Sequence, residues 1–124
     1  MRVWDFDPKY LCNKHLLAQH NEIHTIWNVH TKGLSGWRRH PEVKRWAGHL
    51  PALFLKHAGT ADEMERRGFQ HKSPIPLPLV GAVEDPEPWQ PLGKQLDVLW
   101  AKRHEVAGCD CWVRTQQGVA LKCQ

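Results

Sequence analysis

The sequence predicts an all-α protein: a single compact domain of three to four helices with a proline-rich extended segment and an irregular C-terminal tail. Apolar residues recur at helical spacing in several stretches, whereas almost nothing alternates at the strand period. Six prolines between Pro74 and Pro91 exclude a helix there. A length of 124 residues suits one domain with one core. Within it we separate a helical part, residues 1–75, from a proline-rich strap, a last helix and a tail, residues 76–124.

The first long helix is expected between Leu11 and His30, and Gly33 and Gly36 end it. Its apolar positions recur at helical spacing: Leu16, Ile23, Ile26 and Trp27.

Two further helices are expected in the helical part. One begins at Pro41, because proline suits the first turn of a helix. The other covers residues 50–69, with Gly68 fitting the cap past its end. Gly59 weakens its middle, so we expect a kink or a break there.

The proline-rich segment is predicted to be an extended strap packed over the body, or else a linker. A last helix follows over residues 92–108 and ends at Gly108. Its inward positions are predicted to be Leu92, Leu96, Leu99 and Trp100. The tail from Cys109 to Gln124 is ambiguous, and a short hairpin is one reading of it.

The composition is moderately basic, with a net charge of +4 and a pI of about 9.0, which is compatible with a polyanionic partner. No apolar run approaches the length of about 20 residues that a membrane span needs. The start, MRVWDFDPKY, lacks the apolar core of a signal peptide. We therefore expect a cytoplasmic protein with no membrane association.

The cysteines are expected to be free thiols, since no secretory signal is present. They are Cys12, Cys109, Cys111 and Cys123. Cys109 and Cys111 are spaced Cys-x-Cys, unlike the Cys-x-x-Cys of common zinc sites, so we assign them no metal.

The stretch LLAQHNEIHTIW, residues 16–27, raises the question of a metal site. His20 and His24 lie about 40° apart around a helix and could share an ion, but Glu22 lies about 200° from His20. In the zinc protease motif the glutamate follows the first histidine directly. Glu22 instead shares its face with His15 and Gln19. That face is either a polar site or a solvated helix surface.

A basic and aromatic stretch, GWRRHPEVKRW, is typical of a nucleic-acid surface. The equally simple alternative is a solvated basic loop. Its cations and aromatics are Arg38, Arg39, Lys44 and Arg45 with Trp37 and Trp46.

Several blocks occur in an order and at spacings that resemble the pyrimidine-dimer DNA glycosylase family, the phage endonuclease V type. They are MRVWDFDPKYLCNKHLLAQHNEIHTIW, GWRRHPEVKRW, GH at positions 48 and 49, and ERRGFQHKSP. The resemblance covers residues 1 to about 75 and stops before the final 50 or so.

The resemblance implies a monomeric, nucleoid-associated DNA repair enzyme that acts on damaged double-stranded DNA without a metal or cofactor. It implies that the terminal α-amine is the nucleophile, forming a Schiff base in a glycosylase and AP lyase reaction. Glu22, 21 positions after Met1, would assist, with His15 on the same helix face. Arg2 would hold a phosphate beside the lesion. Such enzymes insert into kinked DNA, for which Trp37 and Trp46 are candidate wedges, although at least one of them is expected in the core.

The chain departs from the family pattern in two ways. Arg2 is too bulky for normal methionine removal, so Met1 is expected to be retained and to supply the amine. Asn21 stands where the family has an arginine, which leaves the identity of the lesion open; we still count it as a DNA contact. The alternatives are a non-catalytic DNA-binding helical module and a protein that binds metal through His20 and His24, with His49 or His57 as further ligands.

Overall fold

Four α-helices and one short 3₁₀ turn form the part of the chain that the computed structural model describes, residues 2–33, 36–71, 73–76 and 80–102. They are the 3₁₀ turn Pro8–Tyr10 and the helices α1 (Asn13–Lys32), α2 (Pro41–Arg45), α3 (Leu50–Arg66) and α4 (Leu92–Lys102). No strand occurs within these residues. The all-α prediction is confirmed. The tail and its three cysteines lie outside the described residues.

α1 has a definite start and end. The Cys12 Sγ accepts a hydrogen bond from the His15 backbone N at 3.5 Å, which occupies one otherwise unpaired N–H of the first turn. At the other end Gly33 takes the left-handed conformation, with φ of 65°, a backbone geometry that favours glycine. The predicted helix and its glycine stop are confirmed.

α2 begins at Pro41 as predicted, and α3 also has a proline, Pro51, in its first turn. The His40 ring caps α2, its Nδ1 accepting from the Glu42 backbone N at 3.1 Å. The break expected at Gly59 does not occur, since α3 continues to Arg66. One glycine weakens a helix by only about 1 kcal/mol, and the packing of α3 against α1 outweighs that cost.

The core lies between α1 and α3 and is extended by α2 and the N-terminal segment. One cluster contains Val3, Ile23, Ile26, Trp27, Val29, Val43, Trp46, Ala52, Leu53 and Ile75. A second contains Trp4, Leu11, Cys12, Leu16, Met64 and Leu99. Trp46 is fully buried and Trp37 is 52% exposed, so the expectation that at least one of them is core is confirmed.

The proline-rich segment is a strap that packs against the start of α3. Ala82 N donates to Gly48 O at 2.9 Å, and Ala52 N donates to Ala82 O at 3.2 Å. The His49 ring contacts Glu84 O at 3.0 Å. These bonds exclude the linker interpretation for the described part of the segment.

α4 packs through Gln95 and Leu99, which are fully buried. The prediction that Leu92 points inward is wrong, since this side chain is 47% exposed. Gln95 takes the inward place in the first turn, where its Oε1 accepts from Asp5 N at 3.2 Å. None of the helices in the described part of the chain is long and apolar enough to cross a bilayer.

Gln19 ties three elements together from a fully buried position. Its Oε1 accepts from Trp4 N at 2.8 Å, and its Nε2 donates to Thr60 Oγ1 at 3.1 Å. The side chain therefore fixes the N-terminal segment to α1 and α3, and it belongs to the interior rather than to the polar face predicted for Glu22 and His15.

Replacing Gln19 with leucine is expected to lower the free energy of unfolding by about 1–3 kcal/mol, because Trp4 N would lose its buried acceptor. Chemical denaturation with tryptophan fluorescence measures this. The exposed Gln70 gives the matched control, and its replacement by leucine should change little. Equal effects of the two changes would contradict a structural role for Gln19.

Candidate active site

Glu22 joins the middle of α1 to the beginning of the chain. Its Oε2 accepts a hydrogen bond from the Arg2 backbone N at 2.7 Å. The contact is partly buried and spans 20 positions in sequence. Met1, the predicted nucleophile, lies outside the described residues. The site is therefore built on Arg2 and the residues around it.

The environment of Glu22 favours its neutral form more than water does. Burial raises the pKa of this carboxyl above its usual value, and the negative charge of Glu42 adds to the rise. The hydrogen bond from Arg2 N and the nearby His15 partly oppose it. A carboxyl with a raised pKa is the kind of group that exchanges protons in active sites.

Arg2 is held by aromatic rings. Its guanidinium lies 4.5 Å from the centroid of the Trp89 ring and 5.8 Å from that of Trp4. Among the described residues no group accepts a hydrogen bond from its Nη1. A cleft of about 400 Å³ opens beside it, lined by Arg2, His40, Pro41, Glu42, Arg45 and Trp89.

His15 lies on α1 two turns before Glu22, and its ring stands edge-on to Trp4 with 6.2 Å between the ring centroids. The Nδ1 atom is 3.1 Å from Cys12 Sγ. The ring acts electrostatically on Glu22. The structure therefore places Arg2 against Glu22 and brings Arg2 and His15 to the same Trp4 ring, while Gln19 turns inward.

Arg45 is partly buried and bound by other parts of the chain, which argues against its predicted place on a DNA surface. The guanidinium makes an ion pair with Asp5 at 2.9 Å and another with Glu42 at 2.7 Å. It also donates to the backbone oxygens of Val3 and Glu87, both at 3.1 Å. With its donors directed inward and its side chain only 10% exposed, Arg45 holds the N-terminal segment, α2 and the strap in place.

The other predicted DNA contacts are accessible. Arg38, Arg39 and Lys44 are exposed around α2, beside the exposed Trp37, and Asn21 is exposed on α1. These side chains stay candidates for backbone contacts with a nucleic acid.

A separate group of four histidines lies on another face of α1. It consists of His20 and His24 from α1, His57 from α3 and His71 from the segment after α3. Burial lowers the pKa of His20 and that of His57 to about 4, and it lowers the pKa of His24 as well. His20 and His57 are therefore neutral at pH 7. His49, which the sequence analysis considered with this group, lies instead at the start of α3, where its ring contacts the backbone oxygen of Glu84 at 3.0 Å.

The sequence analysis missed several residues of the cleft beside Arg2 and of the histidine group. Trp89 and Glu42 line the cleft beside Arg2, and His71 completes the histidine group. Trp89 and His71 lie in segments without helical periodicity, so no pattern placed them against α1. Glu42 is an acidic residue in the first turn of a helix, a favourable and common position that gives no sign of a cleft.

The described part of the chain is a small helical fold in which the Glu22 carboxylate contacts the backbone of Arg2. The family model for pyrimidine dimer DNA glycosylase matches residues 1–77, more than half of the chain. The protein belongs to this family, and the resemblance over residues 1 to about 75 is confirmed. Membership implies DNA glycosylase activity and therefore a DNA substrate. No curated protein and no solved structure matches the chain.

Proposed function

We propose that this protein is a monomeric glycosylase with AP lyase activity that acts on pyrimidine dimers, or on another damaged pyrimidine, in double-stranded DNA. The α-amine of Met1 is the nucleophile and Glu22 assists it. One observation supports this above the others: the 2.7 Å hydrogen bond from Arg2 N to the Glu22 carboxylate. It joins the only carboxylate on α1 to the second residue of the chain.

The covalent link between Met1 and Arg2 limits how far the amine can be from Glu22. Consecutive backbone nitrogens are separated by at most about 4 Å, so the α-amine is within about 7 Å of Glu22 Oε2. Glu22 is therefore close enough to act on a sugar to which the amine is bound. The pKa of an α-amine is about 7.7 to 8.0, so a useful fraction is uncharged near neutral pH.

The proposed reaction begins when the amine lone pair attacks C1′ of the damaged nucleotide. The glycosidic bond breaks and its electrons leave with the base, and loss of the amine proton with opening of the sugar gives an imine. Removal of a proton from C2′ then expels the 3′ phosphate by β-elimination, and water releases the enzyme from the imine. Such covalent amine catalysis divides one hard step into easier ones.

Glu22 is suited to two tasks in this sequence. Its carboxylate stabilises the cationic imine, and it exchanges protons with the opening sugar. The base itself must leave the stack to be reached, and a crosslinked dimer lowers that cost because it is already poorly stacked.

Arg2 and His15 are assigned to substrate positioning. The aromatic rings hold the Arg2 guanidinium beside the cleft, where its positive charge suits a phosphate of the lesion. His15 orients groups around Glu22 or contacts the sugar-phosphate backbone.

The surface around α2 is assigned to duplex binding, with Arg38, Arg39 and Lys44 contacting phosphates and Asn21 contacting the strand near the lesion. Trp37 supplies an exposed ring that can stack on a base. Trp46 is excluded as a wedge because it is fully buried.

Replacing Arg38 and Arg39 together with glutamine is expected to reduce the slope of log affinity against log salt by about 2, one for each lost phosphate contact. Fluorescence anisotropy with a labelled duplex over a salt series measures the slope. The matched control is Arg66→Gln, at an exposed arginine at the end of α3. An unchanged slope in the double variant would show that the two arginines do not contact phosphates.

The test of the proposed function is strand cleavage of a duplex with one cyclobutane thymine dimer, compared with an undamaged duplex of the same sequence. The two bases of a dimer are linked, so breaking one glycosidic bond frees no base, and strand cleavage is the proper readout. Cleavage at the dimer alone supports the proposal. Tight binding without cleavage of dimer or abasic duplexes would favour the non-catalytic DNA-binding module, for which Asn21 in place of the family's arginine is the supporting observation.

A further inference from the structure

Four imidazole rings from three parts of the fold meet at one point. His20 and His24 come from α1, His57 from α3, and His71 from the chain just after α3. The neighbouring ring centroids are 4.6 to 5.1 Å apart. We call this group the histidine cluster. We propose that it binds one divalent transition-metal ion, with Zn²⁺ as the best fit, and that the ion ties α1, α3 and the following segment together.

The spacing of the ring nitrogens fits a tetrahedral ion. Zinc–nitrogen bonds of about 2.0–2.1 Å place tetrahedral ligand nitrogens roughly 3.3 Å apart. His24 Nε2 is 3.2 Å from His20 Nε2 and 3.0 Å from His57 Nε2. One ligand atom from each of the four residues lies within 4.8 Å of the others. Small movements of the rings would therefore complete the coordination.

Hydrogen bonding alone does not account for this arrangement. A ring nitrogen carries either one hydrogen or one in-plane lone pair, so it makes one good hydrogen bond. His24 Nε2 faces two other Nε2 atoms at hydrogen-bonding distance. At least one of these two contacts is therefore not a good hydrogen bond. A metal ion removes the conflict because it accepts the lone pairs of all the nitrogens at once.

His71 supplies an independent observation. Its Nε2 is buried and has no hydrogen-bond partner among the described residues. Burying a polar atom without a partner is unfavourable, so such atoms call for an explanation. A metal bond would satisfy it.

The properties of the site favour an ion over a phosphate. His20 is 7% exposed and His57 is 4% exposed, so a DNA phosphate cannot reach them. Neutral imidazole is the commonest metal ligand in proteins and suits zinc, copper, iron and nickel. Glu22 points to the opposite side of α1, about 160–200° away around the helix. The inferred metal is therefore structural, it stands apart from the amine chemistry, and the inference does not depend on the proposed function.

The experiment uses full-length protein without a histidine tag, freed of metal with a chelator and then titrated with Zn²⁺ and, separately, with Co²⁺. We expect one ion per chain, and with Zn²⁺ at 100 times its Kd a rise in Tm of about 10 °C. Bound Co²⁺ should show the strong visible bands of a tetrahedral site. It should lack the sulfur-to-cobalt absorption that ligation by the cysteines would produce.

Two variants locate the site. His71→Asn, at a partly exposed position outside the helices, is expected to weaken Zn²⁺ binding at least about 10-fold while the protein remains folded. His49→Gln is the matched control, since His49 lies outside the cluster, and it should bind normally. If His71→Asn fails to fold, the stoichiometry and the cobalt spectrum of the unaltered protein decide. The proposal is overturned by an absence of stoichiometric binding, by a thiolate spectrum, or by equal weakening in both variants.

Discussion

Replacing Glu22 with glutamine is expected to slow strand cleavage at a pyrimidine dimer by at least about 100-fold, the lower range for loss of a positioned acid–base group. The variant keeps the shape of the side chain and removes its charge and its ability to exchange protons. Single-turnover cleavage of a dimer-containing duplex measures the rate, and anisotropy measures the affinity, which should change little.

The fold should survive this change, because the glutamine oxygen can still accept the hydrogen bond from Arg2 N that Glu22 now accepts at 2.7 Å. Circular dichroism and Tm check this. Glu65→Gln is the matched control at an exposed carboxylate of α3, and it should cleave at the normal rate. If the Glu22 variant cleaves as fast as that control, the carboxylate has no role in the chemistry.

Replacing Arg45 with methionine is expected to destabilise the protein by about 3–5 kcal/mol, because removing one member of a buried ion pair leaves its partners uncompensated. Asp5 and Glu42 would lose their cation, and the backbone oxygens of Val3 and Glu87 would lose a donor. Chemical denaturation measures the loss. A loss of this size can exceed the free energy of unfolding of a small domain, in which case the variant will not accumulate as folded protein.

The neighbouring Arg39 gives a sharp comparison for Arg45. Arg39→Met removes the same charge from an exposed side chain. The free energy of unfolding of this variant should stay within about 0.5 kcal/mol of that of the unaltered protein. Its affinity for DNA should fall instead. Similar stability of the two variants would show that the Arg45 network contributes little, and Arg45 would again be a candidate for DNA contact.

Periodicity and end signals were enough to predict the helical body. The apolar spacing of α1, the glycine at its end and the proline at the start of α2 act locally, and the structure follows them. Gly59 and Leu92 show the limit of this reasoning. At Gly59 the packing of α3 against α1 prevailed over a weak local preference, and at Leu92 a buried glutamine took the inward place.

The site was only partly readable for a similar reason. Helical geometry placed His15 and Glu22 on one face and His20 and His24 on another, because positions along one helix follow from their spacing. The meeting of Glu22 with Arg2, the inward turn of Arg45 and the arrival of His57 and His71 beside α1 are contacts between distant segments. No periodic pattern encodes such contacts. Family resemblance supplied the first of them, and only the structure gave the others.

The most direct test of the central claim is borohydride trapping of the imine on protein with its native N-terminus. We expect a covalent adduct with a dimer duplex and with an abasic duplex, mapped by mass spectrometry to Met1. The same protein with an N-terminal extension has no free amine at that position and should give none. An adduct that persists with the extension, or no adduct on either duplex, would contradict catalysis by the terminal amine.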